Sequence, residues 1–166
     1  MCGILGCVGE FDFDLERFSA ANNLMSHRGP DDSGVWKNEN NEVILGHRRL
    51  SILDLSSKGS QPMQSRSNRF VISYNGEIYN HLEIREKLEK EFNFLPNSWV
   101  GNSDTETILS CLDSYGIKKT LNLLTGMFSF AVWDKFNNKL YLARDRIGEK
   151  PLYLSFLKDK LYFSSE

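Results

Sequence analysis

Cys2-Gly3-Ile4-Leu5-Gly6-Cys7-Val8 stands one residue inside the N-terminus. Short, small-to-apolar and closed by Gly9, it reads as a buried strand that begins almost with the chain itself. A strand at that position needs partners, and both neighbouring and distant segments offer them. Val35-Trp36 and Val43-Ile44-Leu45 flank a polar turn at Asn38 to Asn41 and read as a hairpin, and Phe70 to Tyr74 is strongly strand-like. The last third of the chain is strand-rich: Met127 to Trp133, Leu140 to Ala143, Leu152 to Ser155 and Leu161 to Phe163, separated by Asn, Lys and Gly turns.

Helices are punctuated between these strands. Asp14 is an N-cap before Leu15, Phe18, Ala21 and Met25, with Phe13 and Phe18 at the spacing of a hydrophobic staple. Asn80 is expected to cap a second helix, and Ser103-Asp104-Thr105-Glu106 forms a capping box for a third that stops at Gly116, followed by a short helical stretch to 124. Strands at both ends with helices between them predict an α+β fold in which two sheet layers are covered by helices.

Composition agrees with one domain. The chain has 166 residues, 40% apolar, 25% charged and 12% aromatic, values of a globular domain. Its net charge of −2 argues against nucleic acid or an anionic membrane as partner. The mean hydropathy is −0.40, no run approaches the roughly 18 apolar residues of a membrane span, and the N-terminus lacks the basic flank of a signal peptide. Three cysteines without C-x-x-C spacing argue against a disulfide framework or a metal site. A cytoplasmic, reducing setting is the expectation.

Cys2 carries the chemistry. Aminopeptidases remove an initiator methionine that precedes a small residue, which would leave a thiol and a free α-amine on one residue. Such an amine titrates near 7.7–8.0 and can serve as the base that activates the thiol. Alone, Cys2 is better read as a cysteine that merely follows Met1, with Gly3 and Gly6 allowing a tight strand. Other residues strengthen the chemical reading, though each has a bland one. Asn75-Gly76 is the sequence of a type I′ turn, and also a carboxamide donor beside a permissive backbone N–H that can hold an oxyanion. Arg49 taken alone is better read as a surface arginine at a strand edge, but it can also bind a small carboxylate in bidentate fashion. Asp104 is either a first-turn helix charge or the partner of a substrate ammonium. Together they describe a pocket for an α-amino acid with a reactive side-chain carbonyl.

Ordered segments along nearly the whole chain resemble the class II glutamine amidotransferase domain of the glutamine-hydrolysing asparagine synthetase family. They are Met1-Cys2-Gly3-Ile4, His27-Arg28-Gly29-Pro30-Asp31, Arg49 to Asp54, Tyr74 to Asn80, Ser103 to Glu106, Gly126 to Asp134 and Arg144 to Tyr153. The resemblance implies the N-terminal-nucleophile hydrolase fold, a four-layer αββα sandwich of two antiparallel sheets. It also implies catalytic roles for Cys2, Asn75 and Gly76. Glutamine would be bound by Arg49, Glu77 and Asp104, with Leu50, Ile52 and Leu53 lining the pocket. No metal is implied. The reaction would be hydrolysis of glutamine to glutamate and ammonia through a γ-glutamyl thioester.

Family members continue into a synthetase domain that uses ATP and magnesium to activate an acceptor carboxylate. Its S-G-G-x-D-S-type loop does not occur here, so residues 1–166 are expected to be the amidotransferase domain alone, C-terminally truncated, with the synthetase domain as a partner in cis. A homodimer is a family-level expectation. Two rivals accompany this reading: a non-catalytic glutamine-binding module with an unprocessed N-terminus, and a thiol hydrolase for another γ-amide or acyl group.

Overall fold

The computed structural model describes residues 1–10, 14–93 and 95–166. Nine strands are described: β1 (Gly3–Val8), β2 (Asp32–Lys37), β3 (Val43–Arg49), β4 (Met63–Gln64), β5 (Phe70–Ile78), β6 (Gly126–Asp134), β7 (Lys139–Arg144), β8 (Tyr153–Leu157) and β9 (Lys160–Ser164). Helices α1 (Leu15–Leu24), α2 (His81–Phe92) and α3 (Asp104–Leu123) fall between them. One sheet has the order β2-β3-β1-β9-β8 and the other β4-β5-β6-β7, and all their pairings are antiparallel.

Period-2 patterning builds the layers. In β3, Val43 and Leu45 join Val71 of β5, Ala131 and Trp133 of β6 and Phe163 of β9 in a core between the sheets. Ile44, one residue out of phase, turns the other way and packs with Cys7 and with Phe18 of α1. In β5 and β6 the alternate residues Phe70, Ile72, Tyr74, Phe128, Phe130 and Val132 face Ile84 and Leu88 of α2 and Ile108 and Leu112 of α3. The result is helix, sheet, sheet, helix: the four-layer α+β sandwich. Each fully buried Phe, Leu or Ile contributes roughly 1.5–3 kcal/mol relative to exposure, and Phe70, Phe130 and Phe163 are among the largest such side chains.

Local signals fare unevenly. Asp14 accepts a hydrogen bond from the Arg17 N–H at 2.8 Å and caps α1 as expected. The buried stripe of α1 is Phe18 and Asn22, continued by Met25, while Leu15 and Ala21 are exposed. Asn22 is buried because its carboxamide donates to the His47 carbonyl at 3.1 Å and to Ser33 Oγ at 3.2 Å, anchoring α1 on β2 and β3. Phe13, the other half of the expected staple, lies outside the described residues. Gly116 breaks α3 with φ 73° and ψ 173°, where the sequence predicts a stop.

Two expectations are overturned. Asn80 makes no side-chain cap on α2; its carboxamide instead donates to the Leu123 carbonyl and accepts from the Thr125 N–H, both at 3.0 Å, tying α2 to the α3–β6 loop. Asn75-Gly76 is not a turn: both residues lie within β5, opposite Ser129 and Phe128 of β6. A Cβ at residue 76 would stand 2.4 Å from the Met127 carbonyl oxygen and 2.7 Å from Phe128 Cα. Gly76 therefore serves close strand approach rather than chain reversal.

Candidate active site

Cys2 immediately precedes β1, which lies against β5. Its sulfur is held by one residue on the neighbouring loop: the Leu50 N–H donates to Sγ at 3.4 Å, and the thiol points back to the Leu50 carbonyl at 3.7 Å. Arg28 grips the same residue from the other side, its Nε–H donating to the Cys2 carbonyl at 3.1 Å. Burial pushes the Cys2 thiol up from its ordinary range; the Leu50 amide, the N-terminal ammonium and Arg49 pull it down, and Asp104 raises it.

The same register that displaces the turn frees a donor. Odd-numbered residues of β5 send their backbone groups to β6, as the Tyr79 N–H does to the Thr125 carbonyl at 2.8 Å just beyond the strand. Even-numbered residues face the opposite edge. There β4 pairs only with Val71 and Ile72 and then ends. Side chains substitute for it: Gln61 Oε1 accepts the Tyr74 N–H at 2.7 Å, and Asp104 Oδ2 accepts the Ile78 N–H at 2.9 Å. The Gly76 N–H lies between these two and points to the same edge. Phe128, opposite Gly76, is engaged on its β7 side, its N–H with Asp145 Oδ2 at 3.2 Å and its carbonyl with the Asp145 N–H at 2.8 Å. The Gly76 N–H is thus left without a ladder partner. Beside it Asn75 is buried, and its Nδ2 has no hydrogen-bond partner among the described residues. Two unpaired donors on consecutive residues are costly unless something is meant to occupy them.

Asp104, at the first position of α3, supplies negative charge. It is 4% exposed, accepts the Tyr74 hydroxyl at 2.6 Å, and has no ion-pair partner among the described residues. Burial raises its carboxyl above the ordinary range, opposed by hydrogen bonds from Tyr74 and Ile78. Burial and the Asp104 carboxylate likewise push the Tyr74 hydroxyl well up, so it stays a donor. Arg49, at the end of β3, is braced by the following loop. Its Nη1 donates to the Ser56 carbonyl at 2.8 Å and its Nη2 to the Asp54 carbonyl. Gly59 leaves the room this requires, since a Cβ there would lie 2.9 Å from Arg49 Cζ.

These groups share a cavity of about 200 Å³, smaller than the roughly 300–1,000 Å³ of sites for drug-sized ligands. Cys2, Arg49, Leu50, Ile52, Leu53, Asn75, Gly76, Glu77 and Asp104, every site residue singled out in the sequence, line it. Ile52 and Leu53 are largely exposed at this wall. Gln61, Tyr74, Thr105, Met127 and Lys150 also line it and were not legible as site residues. Tyr74 lies in the family-like segment Tyr74 to Asn80, and Lys150 in Arg144 to Tyr153, so the signal was position within those segments. Gln61 carries no signal beyond its proline neighbour. His47 is fully buried between the sheets with Nε2 2.9 Å from the Tyr74 carbonyl oxygen. Burial lowers it to about 4, so it is neutral near pH 7.

The cavity is lined by a thiol, two donors without a partner among the described residues, a cation and a buried carboxylate. Comparison with known proteins gives these features a context. A family model described as "Glutamine amidotransferase domain" matches residues 1–166. Asparagine synthetase [glutamine-hydrolyzing] 1 of Bacillus subtilis is 38% identical over 172 aligned residues, covering 100% of this chain and 26% of that protein. The asparagine synthetase [glutamine-hydrolyzing] of Zea mays is 38% identical over 170 residues, covering 100% of this chain and 27% of that protein. Among solved structures, the glutamine phosphoribosylpyrophosphate amidotransferase of B. subtilis superposes with a TM-score of 0.77 at 20% identity, over 99% of this chain and 42% of the other; that likeness is one of fold. The chain therefore spans about a quarter of the length of the two asparagine synthetases. No helix among the described residues is long and apolar enough to cross a membrane.

Proposed function

The chain belongs to the glutamine amidotransferase domain family, and from that premise we propose that it hydrolyses glutamine to glutamate and ammonia, with Cys2 as nucleophile. The observation that carries this reading is a pair of donors lining one cavity with the Cys2 sulfur: Asn75 Nδ2, which has no partner among the described residues, and the Gly76 N–H, which the strand register leaves without a ladder partner.

Met1 is joined to Cys2 in this structure, its ammonium donating to the Arg28 carbonyl at 3.1 Å. While it remains, the Cys2 nitrogen is a peptide amide and no base, so the active form is the chain without Met1. In that form the α-amine takes the thiol proton and sulfur attacks the side-chain amide carbon. The carbonyl oxygen becomes an oxyanion held by Asn75 and Gly76. The amine returns the proton to the leaving nitrogen, ammonia departs, and a γ-glutamyl thioester remains. Water, deprotonated by the same amine, attacks the thioester; sulfur leaves and recovers a proton, and glutamate is released. Arg49 takes the α-carboxylate, Asp104 with Glu77 the α-ammonium, and Leu50, Ile52 and Leu53 wall the chamber. These steps use groups of this chain alone. A C-terminal synthetase region in cis, using ATP and magnesium, would pass the ammonia to an activated acceptor carboxylate. A reducing cytoplasmic setting suits a free thiol nucleophile.

The test is direct. Chain whose intact mass shows Met1 removed, incubated with glutamine, is expected to release glutamate and ammonia in equal amounts; saturable binding without turnover would instead favour a non-catalytic module. Asp104→Asn keeps the shape and removes the charge. It is expected to raise KM for glutamine on the order of 10- to 100-fold, the penalty of unpairing a buried ammonium, with kcat changed far less.

A further inference from the structure

Lys150 sits in the turn between β7 and β8, fixed by its backbone. Its N–H donates to Asp145 Oδ2 at 3.0 Å and its carbonyl accepts from Arg144 Nε at 2.7 Å. The residue is 7% exposed and lines the cavity that contains Cys2. Among the described residues its ammonium has neither a carboxylate nor a carbonyl partner; its hydrogen bond, 3.5 Å long, goes to the thioether sulfur of Met1. A thioether is a weak acceptor, and a buried ammonium without a counter-ion is costly. Such a group in a cleft is a candidate for function rather than for stability.

Covalent geometry limits where that charge lies. Met1 Sδ is no more than about 6 Å from the Cys2 nitrogen along the chain. Lys150 Nζ is therefore within about 10 Å of that nitrogen, roughly one Debye length at 0.1 M salt. We propose that Lys150 keeps the Cys2 α-amine in its neutral, proton-accepting form once Met1 is gone, its positive charge opposing the ammonium state. This rests on the reading of Cys2 as nucleophile and its amine as base.

An ordinary α-amine titrates near 7.7–8.0 and is mostly protonated at neutral pH, so only a minor fraction can accept the thiol proton. A like charge nearby disfavours the charged form. Other groups act on the same amine. Arg28 and Arg49 work in the same sense, Asp104 and Glu77 in the opposite one, and Tyr74 and His47 are neutral near pH 7. Arg28 is paired with Glu166 at 3.4 Å and Arg49 is held by loop carbonyls. Among the described residues Lys150 is the cation of this set whose charged group meets neither a carboxylate nor a carbonyl.

Activity needs the neutral amine, so it rises through the amine's titration, and removing the Lys150 charge moves that rise to higher pH. The experiment is the pH profile of kcat/KM, which reports the free enzyme, for Met1-free wild type, Lys150→Met and Lys150→Arg. Lys150→Met is expected to move the acid-limb midpoint up by about half to one pH unit. Its rate near pH 6.5 should fall about three- to tenfold and recover at high pH, while Lys150→Arg keeps the wild-type midpoint. The thermal midpoint of Lys150→Met should be unchanged or higher, because an unpaired buried charge is gone. An active Lys150→Met with the wild-type midpoint overturns the inference, as does a loss that is equal at every pH. Lys150→Gln carries the same expectation should the methionine variant fail to fold. Processed wild type that leaves glutamine intact would instead overturn the Cys2 reading, so the two failures are distinct.

Discussion

Cys2→Ala, with its initiator methionine removed, is expected to lose glutamine hydrolysis by at least about 10⁴-fold, the scale seen when a covalent nucleophile is deleted. The variant keeps the α-amine, the donors at Asn75 and Gly76 and the charges at Arg49 and Asp104, so only the sulfur is subtracted. Glutamine should still bind, measured by calorimetry, because the groups assigned to its α-carbon ends are untouched. Wild-type chain that retains Met1 should show a loss of similar size with its sulfur intact, since a peptide nitrogen is not a base. Together the two preparations separate nucleophile from base within one residue. Ammonia release from Cys2→Ala at anything near the wild-type rate would remove the mechanism entirely. So would full activity in protein whose mass shows Met1 in place.

Asn75→Ala is expected to lower kcat by about 10²–10³-fold, as removal of one oxyanion donor does elsewhere, with KM for glutamine little changed. The split follows from timing: the donor is needed when the carbonyl oxygen acquires charge, not when the amide first docks. A second readout distinguishes this from structural damage. Asn75 Nδ2 has no partner among the described residues, so its loss breaks no hydrogen bond there and relieves a buried, unsatisfied donor. The variant should therefore unfold at the wild-type temperature or above it. A variant that loses activity only in step with lost stability, or one that raises KM and spares kcat, contradicts the oxyanion role.

Features set within a few residues are legible in the sequence itself. Asp14 caps α1 and Gly116 breaks α3 because capping and left-handed backbone depend on residue type at one position. The Val35 to Leu45 hairpin forms across its polar turn for the same reason. Asn80 looks like a cap and is not, because the Leu123 carbonyl and Thr125 N–H, distant in sequence, claim its carboxamide. Asn75-Gly76 looks like a turn because the dipeptide is a turn signal, yet nine residues of β6 pair along β5 and carry it straight through.

What residue order alone determined is the chemistry available: a cysteine directly after Met1, strands and helices in the order of an α+β fold with two sheet layers covered by helices, and the residue types that could bind an amino acid. Tertiary structure decided which of these groups are free to act. The Gly76 N–H has no ladder partner among the described residues because β4 stops at Gln64 and leaves that edge of β5 to side chains. Asp104 and Lys150 are buried without counter-ions among the described residues because elements far apart in the chain close over them. Hydrogen-bond satisfaction and desolvation are properties of the packed assembly, summed over contacts between distant segments, and no local spacing encodes them.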